Sequence, residues 1–420
     1  MNVNKFTYLS LNKFPSFDSK KLANLILALF IFFIPIDMLN GVLIRNGMLS
    51  ISFLYKSTVL FLILLYFNKI HEYVTVFILI FIVMFLSFFY GAVSASPDFL
   101  PLMLIKFFSI VFYFLFFLSQ IRQQRIQVIM KIVLFSFIFL FLNSLIGALG
   151  FGYPMYTASQ EVSIGSRGLI FAGNELGVAL VVAGAILMMK YITEENYKLF
   201  FVIGTLMLFS SAVLVSKVAI LGSLFIILTF LTIGLFSRFK GFKINSTDIN
   251  KLSFVFLCIF SMASFSIYYA LYESNLISRL THNYQSLDLL SFIFSGRNIR
   301  VSTAIYEISH NFTLFQILFG TNQHDLSTEI DIFDFMLVNG VVGVFASYGL
   351  FVFSIAYVIL NRFNCYSFYI LHTIFLLFLM SLMAGHVFNS GTAGFLLAAL
   401  LSLAFFKSRS NVYYTAQKVI

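Results

Sequence analysis

Glu329–Gly349 reads EIDIFDFMLVNGVVGVFASYG. Three acids, Glu329, Asp331 and Asp334, stand directly in front of a long apolar run, in a chain that is only 10% charged. The run is continuous rather than alternating, and it has the length that a membrane-crossing helix needs. Acids at a membrane edge are costly, so something must hold them there.

The rest of the chain repeats the pattern. Of its 420 residues 60% are hydrophobic and 19% aromatic, with 57 Phe and no Trp. A soluble domain of this size cannot hide that much apolar surface. Lipid admits only helices or closed barrels. Barrel strands alternate in polarity over short segments, whereas these runs are unbroken. The reading is an all-α polytopic membrane protein, one membrane domain over 1–420, with about twelve spans. They are expected near 22–43, 50–68, 73–94, 102–119, 128–150, 172–190, 198–215, 218–236, 252–272, 336–360, 366–385 and 390–406. The first is too long for a signal-peptide core and lacks a small-residue cleavage site, so it reads as retained.

Lys and Arg placement gives the orientation. With both termini in the cytoplasm, inner segments hold 18 of the basic residues and outer segments 6, with Lys56 and Lys106 inside spans. The net charge of +10 is therefore mainly a topology signal and calls for no nucleic-acid partner. Cys258 and Cys365 fall in or beside different spans and imply neither a disulfide framework nor a metal site. No CxxC, HExxH, Walker A or GxGxxG pattern occurs.

One long outer segment, 273–330, stands out. Within it Val301, Ile305, Ile308, Phe312 and Phe315 recur at helical spacing, with Arg300, Thr303, Glu307 and His310 roughly opposite. This predicts an amphipathic helix, started by Ser295 and lying on the bilayer as a lid. Arg297 falls toward its apolar side. It is either a solvated first-turn residue or an inward-turned Arg with an anionic partner.

Inside the spans, Asp37, Lys56 and Lys106 lie at similar depth in the outer half. They either line one water-filled cavity, or the lysines snorkel outward, or Asp37 and a Lys form a structural pair. The outer face also gathers Arg167, Lys217, Arg297, Arg300, His324, Glu329, Asp331, Asp334 and His386. Cations suit a phosphate or diphosphate, and carboxylates and His suit proton abstraction. For Asp331 and Asp334 the competing reading is electrostatic capping of the helix they precede.

Four segments carry a family resemblance. RGLIFAGNELG (167–177) resembles the Arg- and Asn-bearing segment of the O-antigen polymerase/ligase superfamily, keeping Arg167, Phe171, Asn174 and Gly177. SKVAILG (216–222) resembles its basic turn, with Lys217 at the basic position. SGRNIRVSTAIYEI (295–308) is similar to its loop helix. EIDIFDFMLVNGVVG (329–343) resembles its acidic approach to a span with G-x-x-G, here Gly340 and Gly343. The resemblance covers about 160–350, in the family's order.

It implies a GT-C-like fold and metal-independent, inverting glycosyl transfer between undecaprenyl-diphosphate-linked glycans, with no cofactor. A chain-length regulator is a candidate partner, and the setting is the outer side of the bacterial inner membrane. The family's ligases carry a His eleven positions before the first Gly of G-x-x-G. Here Glu329 occupies that position and His324 lies five residues earlier, which favours a Wzy-type polymerase over a ligase acting on lipid A-core. Under this reading Arg167, Lys217, Arg297 and Arg300 contact the diphosphate, and Glu329, Asp331 or His324 contacts the acceptor or serves as base. Asp37, Lys56, Lys106, Asp334 and His386 remain further cavity candidates. A flippase for the same lipid-linked oligosaccharide is the alternative from another class. It is disfavoured because the chain has no two-half repeat.

Overall fold

The computed structural model describes residues 19–67, 100–157, 163–239, 296–321, 328–360, 365–383, 385–388 and 390–406, with isolated positions at 268, 291 and 294. The expected span at 73–94 lies outside them, as does that at 252–272 apart from position 268, and so do His324 and Ser295.

The described chain is mostly helical. Its elements run α1 (Ser19–Ile31), α2 (Phe33–Arg45), α3 (Ser52–Phe67), α4 (Leu100–Arg122), α5 (Ile126–Ala148), β1 (Tyr153–Thr157), β2 (Ser163–Gly168), α6 (Gly173–Thr193), α7 (Tyr197–Leu214) and α8 (Lys217–Phe239). They continue with α9 (Arg297–Asn311), α10 (Leu314–Phe319), α11 (Asp331–Leu360), α12 (Ser367–Met383) and α13 (Gly394–Leu403). Among the described residues four helices are long and apolar enough to cross a membrane: α5, α6, α7 and the Gly340–Leu360 part of α11. The pair α1–α2 makes a fifth if its 49° bend is counted within one span. The remaining expected spans coincide with shorter apolar helices.

Apolar side chains on every face call for lipid or protein around the whole helix. The helix α6 meets that demand at the centre: residues 175–189 are all buried. Around it pack α5, α7, α8 and α13, and α13 also runs along α4. Aromatic rings fill the space between α1–α2, α4 and α13. Phe30, Phe33, Tyr113 and Phe395 meet edge-on or offset at 4.8–5.9 Å between centroids, arrangements that the ring quadrupole favours.

Three expectations are corrected here. First, the chain is not helical throughout: the connection between α5 and α6 is a two-stranded antiparallel hairpin, with Tyr156 opposite Ile164. Gly150, at φ +85, turns the chain out of α5 so that Phe151 N–H returns to the Ile146 carbonyl at 3.1 Å. Buried Asn143 then clamps the hairpin, donating to the Arg167 carbonyl at 2.9 Å and accepting from Leu169 N–H at 2.8 Å.

Second, α9 begins at Arg297 behind Gly296, which has a left-handed φ of 79°, and no side chain caps that end. The expected apolar stripe stays largely uncovered: Ile305 is exposed, as is Phe315, which lies beyond the end of α9 in α10, and the buried residue of α9 is the neighbouring Ala304.

Third, the long apolar run after the acids is broken. Gly340 interrupts α11 at φ 65°, ψ −172°, a region essentially reserved for glycine. A Cβ there would stand 2.3 Å from the Leu318 carbonyl, so α10 lies directly against the break. The break strips helix partners from nearby carbonyls, and Thr321 N–H supplies one to the Leu337 carbonyl at 2.9 Å.

Candidate functional site at the hairpin end of the bundle

Short connections make helices alternate in direction, so particular helix ends share one end of the bundle. Contacts between chain segments identify it. Gly177, in the first turns of α6, packs on Ala219 at the start of α8. Gly165 of the hairpin packs on the Leu214 carbonyl where α7 ends. Glu175, buried in the first turn of α6, accepts from Ser390 Oγ at 3.1 Å and Thr392 N–H at 2.9 Å, in the connection between α12 and α13. That same connection reaches the start of α11 through Asp331.

Asp331 is 2% exposed. Its carboxylate accepts three successive backbone N–H groups, from His386 on Oδ1 and from Val387 and Phe388 on Oδ2, the latter two at 2.7 and 2.8 Å. Burial pushes its pKa up to about 7, against the N–H donors of Phe388, His386 and Val387, which pull it down. Asp334 Oδ1 accepts from Thr328 N–H at 2.7 Å and Thr328 Oγ1 at 3.0 Å, which fastens the approach turn to the first turn of α11. These contacts answer what keeps the two acids at the head of the run: each holds neighbouring backbone.

Glu329 faces the other way. It sits at a left-handed φ of 56° between these anchors. Its Oε2 accepts from Arg297 Nε at 3.2 Å and Nη2 at 3.0 Å, and its Oε1 from Arg300 Nη1 at 2.6 Å. Arg297 therefore has the anionic partner that an inward-turned Arg requires, with a side chain 16% exposed against 41% for Glu329 and 52% for Arg300. Arg297 Nη1 also donates to the Met383 carbonyl at the end of α12. Burial raises the Glu329 pKa, but hydrogen bonds and charge from Arg300 and Arg297 outweigh it and hold the carboxyl below its ordinary range. Two guanidiniums and one carboxylate leave the cluster one positive charge in excess.

The other sequence-predicted residues divide. Arg167 lies at the same end but turns into the hairpin. Its Nε donates to the Pro154 carbonyl at 2.9 Å and its Nη1 to the Phe171 carbonyl, and the guanidinium stands 5.6 Å from the ring centroids of both Tyr153 and Phe171. Arg45, overlooked in the sequence, flanks the same Tyr153 and donates to the Gly152 carbonyl at 3.1 Å. Lys217 is the first residue of α8, and Lys106 lies on α4; their side chains are outside the described residues.

Asp37 and Lys56 face each other rather than an open cavity. Lys56 Nζ donates to Asp37 at 2.7 and 2.9 Å and Ser52 Oγ adds a bond at 2.5 Å, with both side chains nearly buried. The two residues thus form the Asp37–Lys pair that was one of the expected arrangements. Glu175 is the acid that sequence reasoning missed. Its signal was present, an acid two residues into an apolar span, but it stood within a motif read for its Arg and Asn.

Fold and site together define the class: a mostly helical membrane protein, with at least four helices fit to cross a bilayer among the described residues, that carries at one end of its bundle an Arg–Glu–Arg cluster braced by buried carboxylates. No protein-family model, curated protein or solved structure matches the chain.

Proposed function

We propose that this chain is a membrane glycosyltransferase that joins undecaprenyl-diphosphate-linked oligosaccharide repeats into a surface polysaccharide. It would work at the outer face of the bacterial inner membrane, with both termini in the cytoplasm. The observation that carries the reading is the convergence of Arg297 and Arg300 on Glu329, beside a helix broken at Gly340. The same segments supply two of the four resemblances to the O-antigen polymerase/ligase superfamily.

The chemistry follows from the charges. Glycosyl transfer from a lipid diphosphate needs no nucleotide sugar, because the diphosphate is the leaving group. Negative charge grows on it as the anomeric C–O bond breaks. Preorganised guanidiniums stabilise that charge at low reorganisation cost, an effect of about 10²–10³-fold per donor in comparable sites. Glu329 holds the two arginines on one carboxylate. An arriving diphosphate competes with it for Arg300, the more exposed of the two. Glu329 is a weak base while its pKa is held down by both arginines, and Asp331 is engaged by three N–H groups, so we assign both to positioning.

Purified protein, mixed in detergent with lipid-linked repeat units, tests the reading. Growth of a glycan ladder supports it. Unchanged oligosaccharide is the carrier's result and overturns it. A deletion strain whose lipid core carries no glycan at all, rather than single repeats, would instead indicate the ligase.

A further inference from the structure

Two left-handed non-glycine residues meet at this site. Glu329 has φ 56° and His386 has φ 67°, and Gly385 packs so closely that a Cβ on it would lie 3.1 Å from the Glu329 carbonyl. A left-handed conformation is uncommon outside glycine and persists only where the surroundings enforce it. The surroundings of His386 are unusually explicit. Asp331 takes the N–H groups of 386, 387 and 388. Glu175, from another helix, takes Thr392 N–H and Ser390 Oγ. Arg297 takes the Met383 carbonyl. Two buried acids and one Arg thus fix the backbone on both sides of a single exposed imidazole. That imidazole makes no hydrogen bond among the described residues.

We infer that His386 is the group that takes the proton from the acceptor sugar hydroxyl. The inference rests on the glycosyl-transfer reading above and deepens it. A core structural histidine would be buried and hydrogen-bonded, and a casual surface histidine would not need a strained backbone pinned from three elements. The backbone of Gly385, next to His386, packs directly on the backbone of Glu329, the residue whose carboxylate holds Arg297 and Arg300. Charged groups at this end of the elements packed against the loop include Glu329, Arg297, Arg300, Asp331, Asp334 and Glu175.

The step balances. The acceptor hydroxyl oxygen bonds to the donor's anomeric carbon, and the bond from that carbon to the diphosphate oxygen breaks. The bonding pair leaves with the diphosphate, and the hydroxyl proton passes to the imidazole. The imidazolium then returns the proton to the departing diphosphate or to water.

The test is steady-state chain growth by full-length protein in detergent, with purified lipid-linked repeats. His386→Asn and His386→Gly are the variants, because Asn and Gly tolerate a left-handed backbone and should keep the loop folded. The expected result for both is a fall in kcat of about 10²–10⁴-fold, the usual contribution of a general base, with KM within about threefold of wild type. Wild-type kcat in either variant, or a loss confined to KM, overturns the assignment of His386 alone. Failure of wild-type protein to extend any chain overturns the underlying glycosyl-transfer reading.

Discussion

Arg297 and Glu329, thirty-two residues apart in the chain, meet through two hydrogen bonds, Nε at 3.2 Å and Nη2 at 3.0 Å, both on Oε2. The second carboxylate oxygen takes Arg300, one helical turn further along α9. One carboxylate thereby sets the direction of two guanidiniums, and a third Arg297 donor ties the pair to the end of α12.

Arg297→Ala removes the inward member of this pair. Protein levels in the membrane are expected to stay near normal, while chain growth falls by about 10²–10³-fold or more, as for loss of a transition-state donor. Arg297→Lys should recover little, because an ammonium cannot reproduce the side-on fork. Ladder formation by purified variants is the readout, and near-normal ladders from Arg297→Ala would remove it from the diphosphate contacts.

The Glu329 pKa predicts a pH dependence of defined sign. A carboxyl lowered on folding contributes stability that is fully present above its unfolded value, about 4.3. The contribution is lost as pH falls through the lower, folded value. Melting temperatures of wild type and Glu329→Gln should therefore differ by a constant amount at neutral and mildly acidic pH, and converge below about pH 4. A gap that persists in strong acid would mean that the carboxylate charge is not what stabilises the cluster.

Gly340→Ala tests the break in α11. The backbone conformation alone disfavours any side chain by about 1–3 kcal/mol, and the new methyl would stand 2.3 Å from Leu318 backbone. Lower melting temperature together with reduced activity is expected, because α10 and the turn behind it must shift. A variant that matches wild type in both would show that the helix can run straight through this point.

Asp37 and Lys56 predict a contrast between single and double changes. Removing one partner of a buried pair leaves an uncompensated charge and costs about 3–5 kcal/mol. Asp37→Asn should therefore lower thermal stability markedly. Asp37→Leu combined with Lys56→Met should restore much of the loss, because apolar packing often equals a buried pair. Chain growth by the double variant close to wild type would confirm that this pair serves the fold, whereas a stable but inactive double variant would return both residues to the site.

Much of the architecture was legible in the chain itself. Continuous apolar runs such as 128–150 and 172–190 admit one solution in lipid, a helix, because every backbone group must find its partner within the segment. The amphipathic spacing from Val301 to Phe315 similarly reported a helix, which the structure ends at Asn311, while the angle of Arg297 left a solvated residue and an inward partner as alternatives that only packing decided. The hairpin at 153–168 was hidden, because its pairing depends on Asn143 and on α5 beneath it rather than on local alternation. The interruption at Gly340 was equally hidden, since a glycine within an apolar run is compatible with an unbroken helix until another backbone presses on it.

Hydropathy, then, was enough to define a helical chain with segments fit to cross a membrane, since solvation energies act residue by residue. Which acid serves which purpose could not be read that way. Glu329 orients arginines, Asp331 and Glu175 hold a loop, and Asp37 neutralises a lysine. Each role follows from partners 19 to 217 residues distant that only packing brings within reach.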